Sequence, residues 1–382
     1  MTRNRTRNRL GPAAGAATLA LGLALLPPAS LHAAARPGLG QEGPPSPRTA
    51  AAAREDDYAR AHRLLDQGDP KGAAELFKRA AAKHGAEADV WFFLGLALSR
   101  ANKQKDARKA FEKAVSLRDS APARMGLAFT LFLLGKTEDA EREARKALAL
   151  NPRLAQAHYV LAVVHFRGDD FEQAARAAEE ALRLDPKLVA AAVLAGEALL
   201  NLYGQESERA FTRHPIPVGA DEAARAAALD RREEMLAPSK GRLRAAAERL
   251  QGLADSAAVA AVKRDAGELA ATLKAYGAPR KQGDPPDVFR QAEVSTKAVI
   301  INKPVPGYTE EARHNGTGGV VRLRAVLAAD GRVRHIMVMR RLPDGLTEMA
   351  VEAARKIRFT PATLGGRRVS QYVVLEYRFG SG

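Results

Sequence analysis

Eight histidines and no cysteine limit the side-chain chemistry open to this 382-residue chain. Without cysteine there are no disulfides, no thiolate metal sites and no cysteine nucleophile. His158 and His165 share a helix face at i and i+7, but no third ligand lies near them in sequence, and a metal site is not expected. The other histidines, His314 and His335 among them, are dispersed. Glu310, Glu311, Asp330, Asp344 and Glu352 fall where caps, turns and exposed helix surfaces belong, not as a paired acid and base. No nucleophile–base pair or metal pattern stands out, so neither an enzyme, a cofactor nor a small-molecule substrate is expected. The remaining chemistry is recognition through apolar contact and main-chain hydrogen bonds.

The charge balance narrows the partners. The formal charge is +16 and the isoelectric point near 10.2. Four arginines (Arg3, Arg5, Arg7 and Arg9) lie in the first nine residues, and the other cations are interleaved with acids. No dense basic block carries aromatics beside it, so solvated helix faces are expected and nucleic acid is not. Apolar residues make up 46% of the chain but aromatics only 5%, with alanine dominant. That balance suits closely packed helices, and the length suits about two or three domains.

The N-terminus has the order of a secretory signal: a basic segment, an apolar run from Leu10 to Leu26 closed by Pro27-Pro28, then Ala33-Ala34-Ala35 as a cleavage site. Residues 1–35 are read as a signal peptide, with an uncleaved anchor as the alternative, and 36–53 as a flexible linker. The expected location is therefore the periplasm, or the inner membrane facing the periplasm if the segment is retained.

The elements that follow repeat. Ala73, Phe77 and Ala80 recur as Ala107, Phe111 and Ala114, then as Ala140, Ala144 and Ala147, then as Ala174, Ala178 and Ala181, at intervals of 34, 33 and 34. Each set lies on one helix face, and its small residues admit a neighbouring helix closely. Gly68, Gly135 and Gly168 mark turns within hairpins, and Pro152 and Pro186 the breaks between them. With Trp91, Leu94 and Gly95 in the second unit, the pattern resembles tetratricopeptide repeats. Departures are Asp57 and Arg60 in the first helix, and a fourth turn that reads as one residue too long. The repeats are placed at 54–203, the last helix being a fifth first-helix or a cap. The resemblance implies a curved array whose inner face binds a partner. Its positions here are Tyr58 and His62; Phe92 and Leu96; Met125, Phe129 and Phe132; and Tyr159, Val163 and Phe166. This apolar face suits an apolar helix or strand, or the chain's own downstream helices, and not a C-terminal carboxylate.

Residues 204–219, with their prolines and glycines, are read as a loop. Residues 220–276 are read as helical: Asp221 caps a first helix, Ala237-Pro238-Ser239 breaks it, and Ser239 and Ser256 cap two more. Residues 277–295 are read as a linker.

Strand-type alternation begins at Val321, with Leu323, Ala325 and Leu327 on one face and Arg322 and Arg324 on the other. Asp330-Gly331 signals a two-residue hairpin, Leu346–Lys356 a helix, and Val369–Phe379 a last strand after Gly365-Gly366. A three-stranded antiparallel sheet with two helices on one face is the simplest packing. The whole chain is then α+β and multidomain: an N-terminal α-solenoid of helical hairpins, a helical middle and a small C-terminal α+β domain.

Several motifs occur in the order found in one family. They are Pro306-Gly307-Tyr308, Glu310-Glu311-Ala312-Arg313, Gly319-Val320, Asp330-Gly331-Arg332-Val333, Leu342-Pro343-Asp344-Gly345-Leu346 and Phe359-Thr360-Pro361-Ala362. Residues 296–380 resemble the TonB C-terminal domain, with Thr309 where the family usually has a second proline. The resemblance implies a periplasmic domain that takes a short peptide from an outer-membrane transporter as an added strand. The receiving edge would be Val369–Phe379, with Val369, Gln371, Tyr372, Val373, Val374, Leu375, Tyr377 and Phe379 on it. An adaptor binding two protein partners is the favoured function. The alternative is a TonB-family energy transducer for outer-membrane transport, against which stand the lack of Ser and His in Leu10–Leu26 and the short linker. No sequence feature sets an oligomeric state.

Overall fold

The computed structural model describes residues 57–216, 220–256, 260–279, 288–342 and 344–380. The signal segment and its linker lie outside them. Among the described residues no helix is long and apolar enough to cross a membrane. The chain forms two compact units that meet between Val164 and His165.

The first unit is a series of antiparallel helices: α1 (Asp57–Asp66), α2 (Pro70–Lys83), α3 (Ala88–Arg100), α4 (Gln104–Leu117), α5 (Ala121–Leu133), α6 (Thr137–Leu150) and most of α7 (Ala155–Arg167). Each helix from α1 to α5 packs on the one that follows it. The repeating alanines form the seams: Ala73, Ala107 and Ala140 are fully buried. Phe111 lies against both Gly95 and Gly126, where a β-carbon would come within 2.8 and 2.5 Å of its ring. Glycine at these two positions lets the ring sit between α3 and α5. The hairpin turns need a left-handed residue, supplied by Gly68, Asn102, Gly135 and Asp169. The last falls on Asp169, not Gly168, so the fourth turn keeps the repeat interval and carries no extra residue.

The second unit begins in α7 and continues with α8 (Phe171–Leu184), α9 (Val189–Arg213), α10 (Glu222–Ser256) and α11 (Ala260–Gly277). Two expectations fail here. The expected loop from 204 is helical as far as Arg213, because burial of Ser207 and Ala210 outweighs its turn-like composition. Pro238 does not break α10. Leu236 and Leu243 are buried on either side of it, and the Lys240–Glu233 ion pair spans it. Ser239 therefore lies inside the helix and Ser256 ends it. Asp221 does cap α10, accepting a hydrogen bond from the Ala224 N–H at 2.7 Å.

The C-terminal strands are β1 (Val288–Phe289), β2 (Val299–Asn302), β3 (Gly319–Leu327), β4 (Val333–Arg340), β5 (Arg358–Thr360), β6 (Ala362–Leu364) and β7 (Arg367–Phe379). Helices α12 (Glu310–Asn315) and α13 (Leu346–Arg355) lie between them in sequence. The main sheet runs β1-β7-β3-β4 with β6 also on β7, while β2 and β5 form a separate two-stranded sheet. The expected antiparallel trio is its centre. Val321, Leu323, Ala325, Leu327, Leu375, Tyr377 and Phe379 pack with Ala312 of α12 and with Leu346 and Ala350 of α13. The 277–295 linker is partly structured: β1 joins the sheet and Gln291–Glu293 form a 3-10 turn. The hairpin at Asp330-Gly331 is longer than two residues. Ala328 and Arg332 close it by a main-chain bond of 3.0 Å, with Gly331 left-handed. Thr309 caps α12, accepting from the Ala312 N–H at 3.2 Å, so the residue standing in for a proline starts the helix instead.

Candidate partner-binding surfaces

β7 is the strand on which an added chain was expected. One of its edges is fully used: β3 pairs with it from Gln371 to Phe379. The other edge is used at its start. There β1 pairs in parallel with Ser370 and Gln371, while β6 pairs with Arg367, Arg368 and Val369 at the start of the strand. From Tyr372 to Phe379 no described strand pairs with this second edge. Of the expected edge residues, Val369 is already paired with Ala362 of β6, and Gln371 with both β1 and β3; Gln371 is 2% exposed and its side chain accepts from the Ala298 N–H at 2.9 Å.

The side chains of the open stretch divide by face. Val373, Leu375, Tyr377 and Phe379 point into the core. Burial pushes the Tyr377 phenol up to about 12. On the opposite face Tyr372 meets the Phe211 ring and the Arg324 guanidinium, whereas Val374 is 58% exposed. What this edge offers is thus main chain plus Val374, Glu376 and Arg378. Residues 298–303 run beside it, joined to β7 by side chains: Gln371 at one end, and at the other Lys303, whose Nζ donates to the Glu376 carbonyl at 2.6 Å and lies 4.6 Å over the Tyr377 ring.

The face of the sheet away from α12 and α13 is also covered. Arg324, expected on an exposed face, is 3% exposed and donates to the Ser207 hydroxyl of α9 at 2.9 Å. Met337 of β4 lies close against Gly204, and the Tyr276 hydroxyl of α11 donates to the His335 carbonyl at 2.8 Å. His335 is left-handed, and burial together with Arg334 holds its imidazole below its ordinary pKa. The Arg232–Glu293 pair, 2.7 Å apart with both side chains 5% exposed, ties α10 to the segment after β1. Arg232 and Arg290 also stack on Phe211. Sequence alternation correctly placed Arg324 opposite the core. The missed signal was Val326 and Tyr372 on the same face, apolar companions that call for a cover.

The repeat face is different in kind. Phe92, Leu96, Met125, Phe129, Phe132, Tyr159 and Val163 are all buried. Phe92, Leu96, Met125 and Phe129 line one small apolar cavity with Ser99 and Phe111. Tyr58 and His62 are half-buried in an aromatic group with Phe77 and Phe93. Desolvation, with Asp89 and Glu87 nearby, pushes the Tyr58 phenol up to about 12. Phe166 is half-buried in the second unit, 5.3 Å from the Phe171 ring and beneath Arg341. Among the described residues, no group of three or more His, Cys, Asp or Glu is gathered as a metal site.

Residues 58–123 and 130–189 match the tetratricopeptide repeat family, and residues 304–380 match the Gram-negative bacterial TonB protein C-terminal family. No curated protein sequence matches the chain. Solved structures with similarity include MamA from Desulfovibrio magneticus, at 22% identity and a TM-score of 0.34, covering 39% of this chain and 86% of that one. A thermophilic tetratricopeptide protein of Thermus thermophilus is 15% identical with a TM-score of 0.39, covering 56% and 96%. The second such domain of human RPAP3, solved with an HSP70 peptide, is 24% identical with a TM-score of 0.28, covering 28% and 92%. Both matching families are non-catalytic interaction domains. The chain thus carries tetratricopeptide repeats followed by a TonB C-terminal domain, in that order.

Proposed function

We propose that this protein is an exported, periplasmic two-ended adaptor: the repeats hold one protein partner, and the C-terminal sheet takes another by strand addition. The stretch of β7 from Val373 to Phe379, which no described strand pairs on the side away from β3, carries this reading. A sheet edge with no described strand partner offers a row of main-chain donors and acceptors. An extended peptide satisfies them at roughly 0.5–1.5 kcal/mol net per bond. Within 277–295, Val288–Phe289 join the sheet and Gln291–Glu293 form a 3-10 turn, so part of the expected linker belongs to the domain, which favours an adaptor over a transducer.

Strand addition is tested from the peptide side, which leaves the protein intact. Synthetic peptides with N-methyl groups on alternate residues are titrated by fluorescence anisotropy. Methylation of the residues facing β7 is expected to abolish binding, and methylation of the others to leave it. Equal loss or equal retention in both sets rules out a main-chain ladder.

The second reading, an energy transducer, draws on the TonB C-terminal match itself. It requires a retained anchor. A mature protein that begins near Arg36 and leaves membranes in high salt excludes it, whereas retention of Met1 or Thr2 with extraction only by detergent excludes a free adaptor.

A further inference from the structure

Half of the large apolar side chains exposed among the described residues fall within residues 299–305. Val299 is 56% exposed, Ile300 37%, Ile301 70% and Val305 91%. Successive side chains of a strand face opposite ways, so Val299 and Ile300 leave aliphatic surface on both faces of β2. The pairing of β2 with β5 slips between Ile300 and Asn302, which makes Ile301 an extra residue with no opposite number on β5. A bulge of this kind re-aims a side chain. The knob so formed is held from behind, where Phe359 of β5 is buried in the core and Ala298 packs on it. Pro304 and Pro306 flank Val305 and bring no N–H that would need a partner out of water.

The surroundings of the knob are of one sign. Residues 294–309 and 353–375 contain no acid, whereas Lys297, Arg358, Arg367 and Arg368 lie in them and are exposed. Arg358 is paired with Asn302 beside the bulge. Thr296 bridges to Thr363, which pairs in turn with Arg368, so Lys297 and Arg368 belong to one small patch of sheet. A folded protein covers one face of a strand and would leave the aliphatic side chains of the other in water. A bilayer interface is fluid and closes around both, while the cations meet lipid phosphates. A second copy would bring the same cations against these, and four side chains fall short of the ~800 Å² per partner of a stable interface. Val299 to Val305 include no aromatic ring to stack on a base.

We infer that the β2–β5 knob docks on the surface of an anionic phospholipid bilayer, with Val299, Ile300, Ile301 and Val305 among the headgroups and Lys297, Arg358 and Arg368 against the phosphates. This goes beyond the adaptor reading and does not depend on strand addition. The chain has no cysteine, so one introduced cysteine carries a label at one place. Full-length Val305→Cys with an environment-sensitive dye is mixed with vesicles of phosphatidylcholine, with or without phosphatidylglycerol, that carry a nitroxide quencher on a lipid. Ser116→Cys in the repeats serves as the reference. The Val305 label is expected to be quenched on vesicles containing phosphatidylglycerol, far less on neutral ones, and more than the Ser116 label on either. Lys297→Gln and Arg358→Gln should each raise the lipid concentration at half effect about fivefold at low salt, and less as salt rises. Ile301→Asp should abolish the quenching with the thermal midpoint unchanged, since the side chain it replaces is 70% exposed. Absence of quenching at Val305 on the anionic vesicles overturns the inference. Equal quenching on neutral vesicles overturns it too, and so does equal quenching of the two labels, which shows attachment through another part of the chain. An emission shift with soluble polyglutamate as large as that with vesicles overturns it in favour of an acidic protein, and one that grows with protein concentration alone in favour of a second copy.

Discussion

The inner face of the repeats and the open edge of β7 present opposite materials to a partner. The repeat face is built from large side chains (Phe92, Met125, Phe129 and Phe132) that are themselves buried. The β7 edge has its large side chains, Leu375, Tyr377 and Phe379, turned into the core and leaves main chain outside. The difference teaches where mutation acts: side-chain truncation damages the first surface by damaging the fold, whereas at the second it can change recognition with the fold unharmed.

Phe111→Ala pushes this contrast hardest. Phe111 is 1% exposed between Gly95 and Gly126. Its loss should cost about 3–5 kcal/mol. Hydrogen exchange resolved by peptide should show the loss in residues 57–164 and leave the amides of β3 and β7 protected. Loss of protection throughout the C-terminal sheet as well would show that the two units do not hold their structure separately.

Next is Arg232→Ala, which leaves Glu293 buried without its partner at a cost of about 3–5 kcal/mol. The exchange should rise around β1 and α10, and the double variant Arg232→Met with Glu293→Leu should recover most of the loss. If the single variant is as stable as the wild type, the segment after β1 is not held by this pair.

Thr309→Ala removes the cap of α12 and should cost about 1 kcal/mol, read as a small drop in the chemical denaturation midpoint. Thr309→Ser should recover it, since its hydroxyl can accept from the same amide and still donate to the Asp344 carbonyl.

The smallest effect is that of His335. Its folded pKa lies below its ordinary value of 6.5, first because of burial and then because of Arg334. The folded state therefore prefers the neutral ring. Its contribution is fully present above that ordinary value and is lost as pH falls through it towards the folded pKa. Thermal melts of the wild type should show a decline below that value which His335→Gln lacks; equal pH dependence in the two would dismiss the effect.

Much of this was legible from residue types. The alanine period placed the helical hairpins because a small residue at a close helix crossing has few substitutes. The strand alternation of Val321 to Leu327 identified the core face correctly because successive side chains of a strand point to opposite faces. The failures share another cause. Residues 204–213 look like a loop, and Pro238 like a break, when judged by local preference. Packing of Ser207, Ala210, Leu236 and Leu243 overrides preferences worth about 1 kcal/mol for glycine and about 3 kcal/mol for proline. The reading of the β7 edge needed information that no local pattern holds: that β1 and β6 come back to cover its first residues.

Repeat interval and motif order were enough to read tetratricopeptide-like repeats followed by a TonB-like C-terminal domain, because both resemblances rest on residue types and spacing within a short stretch of chain. Which edge stays open, which cation stands guard over it, and that Arg324 is buried against α9 depend on residues from 70 to more than 100 positions apart, such as Lys303 with Glu376 and Arg324 with Ser207. Such pairings carry no periodic signature. They are set when the strands close over the core and the helices pack behind them.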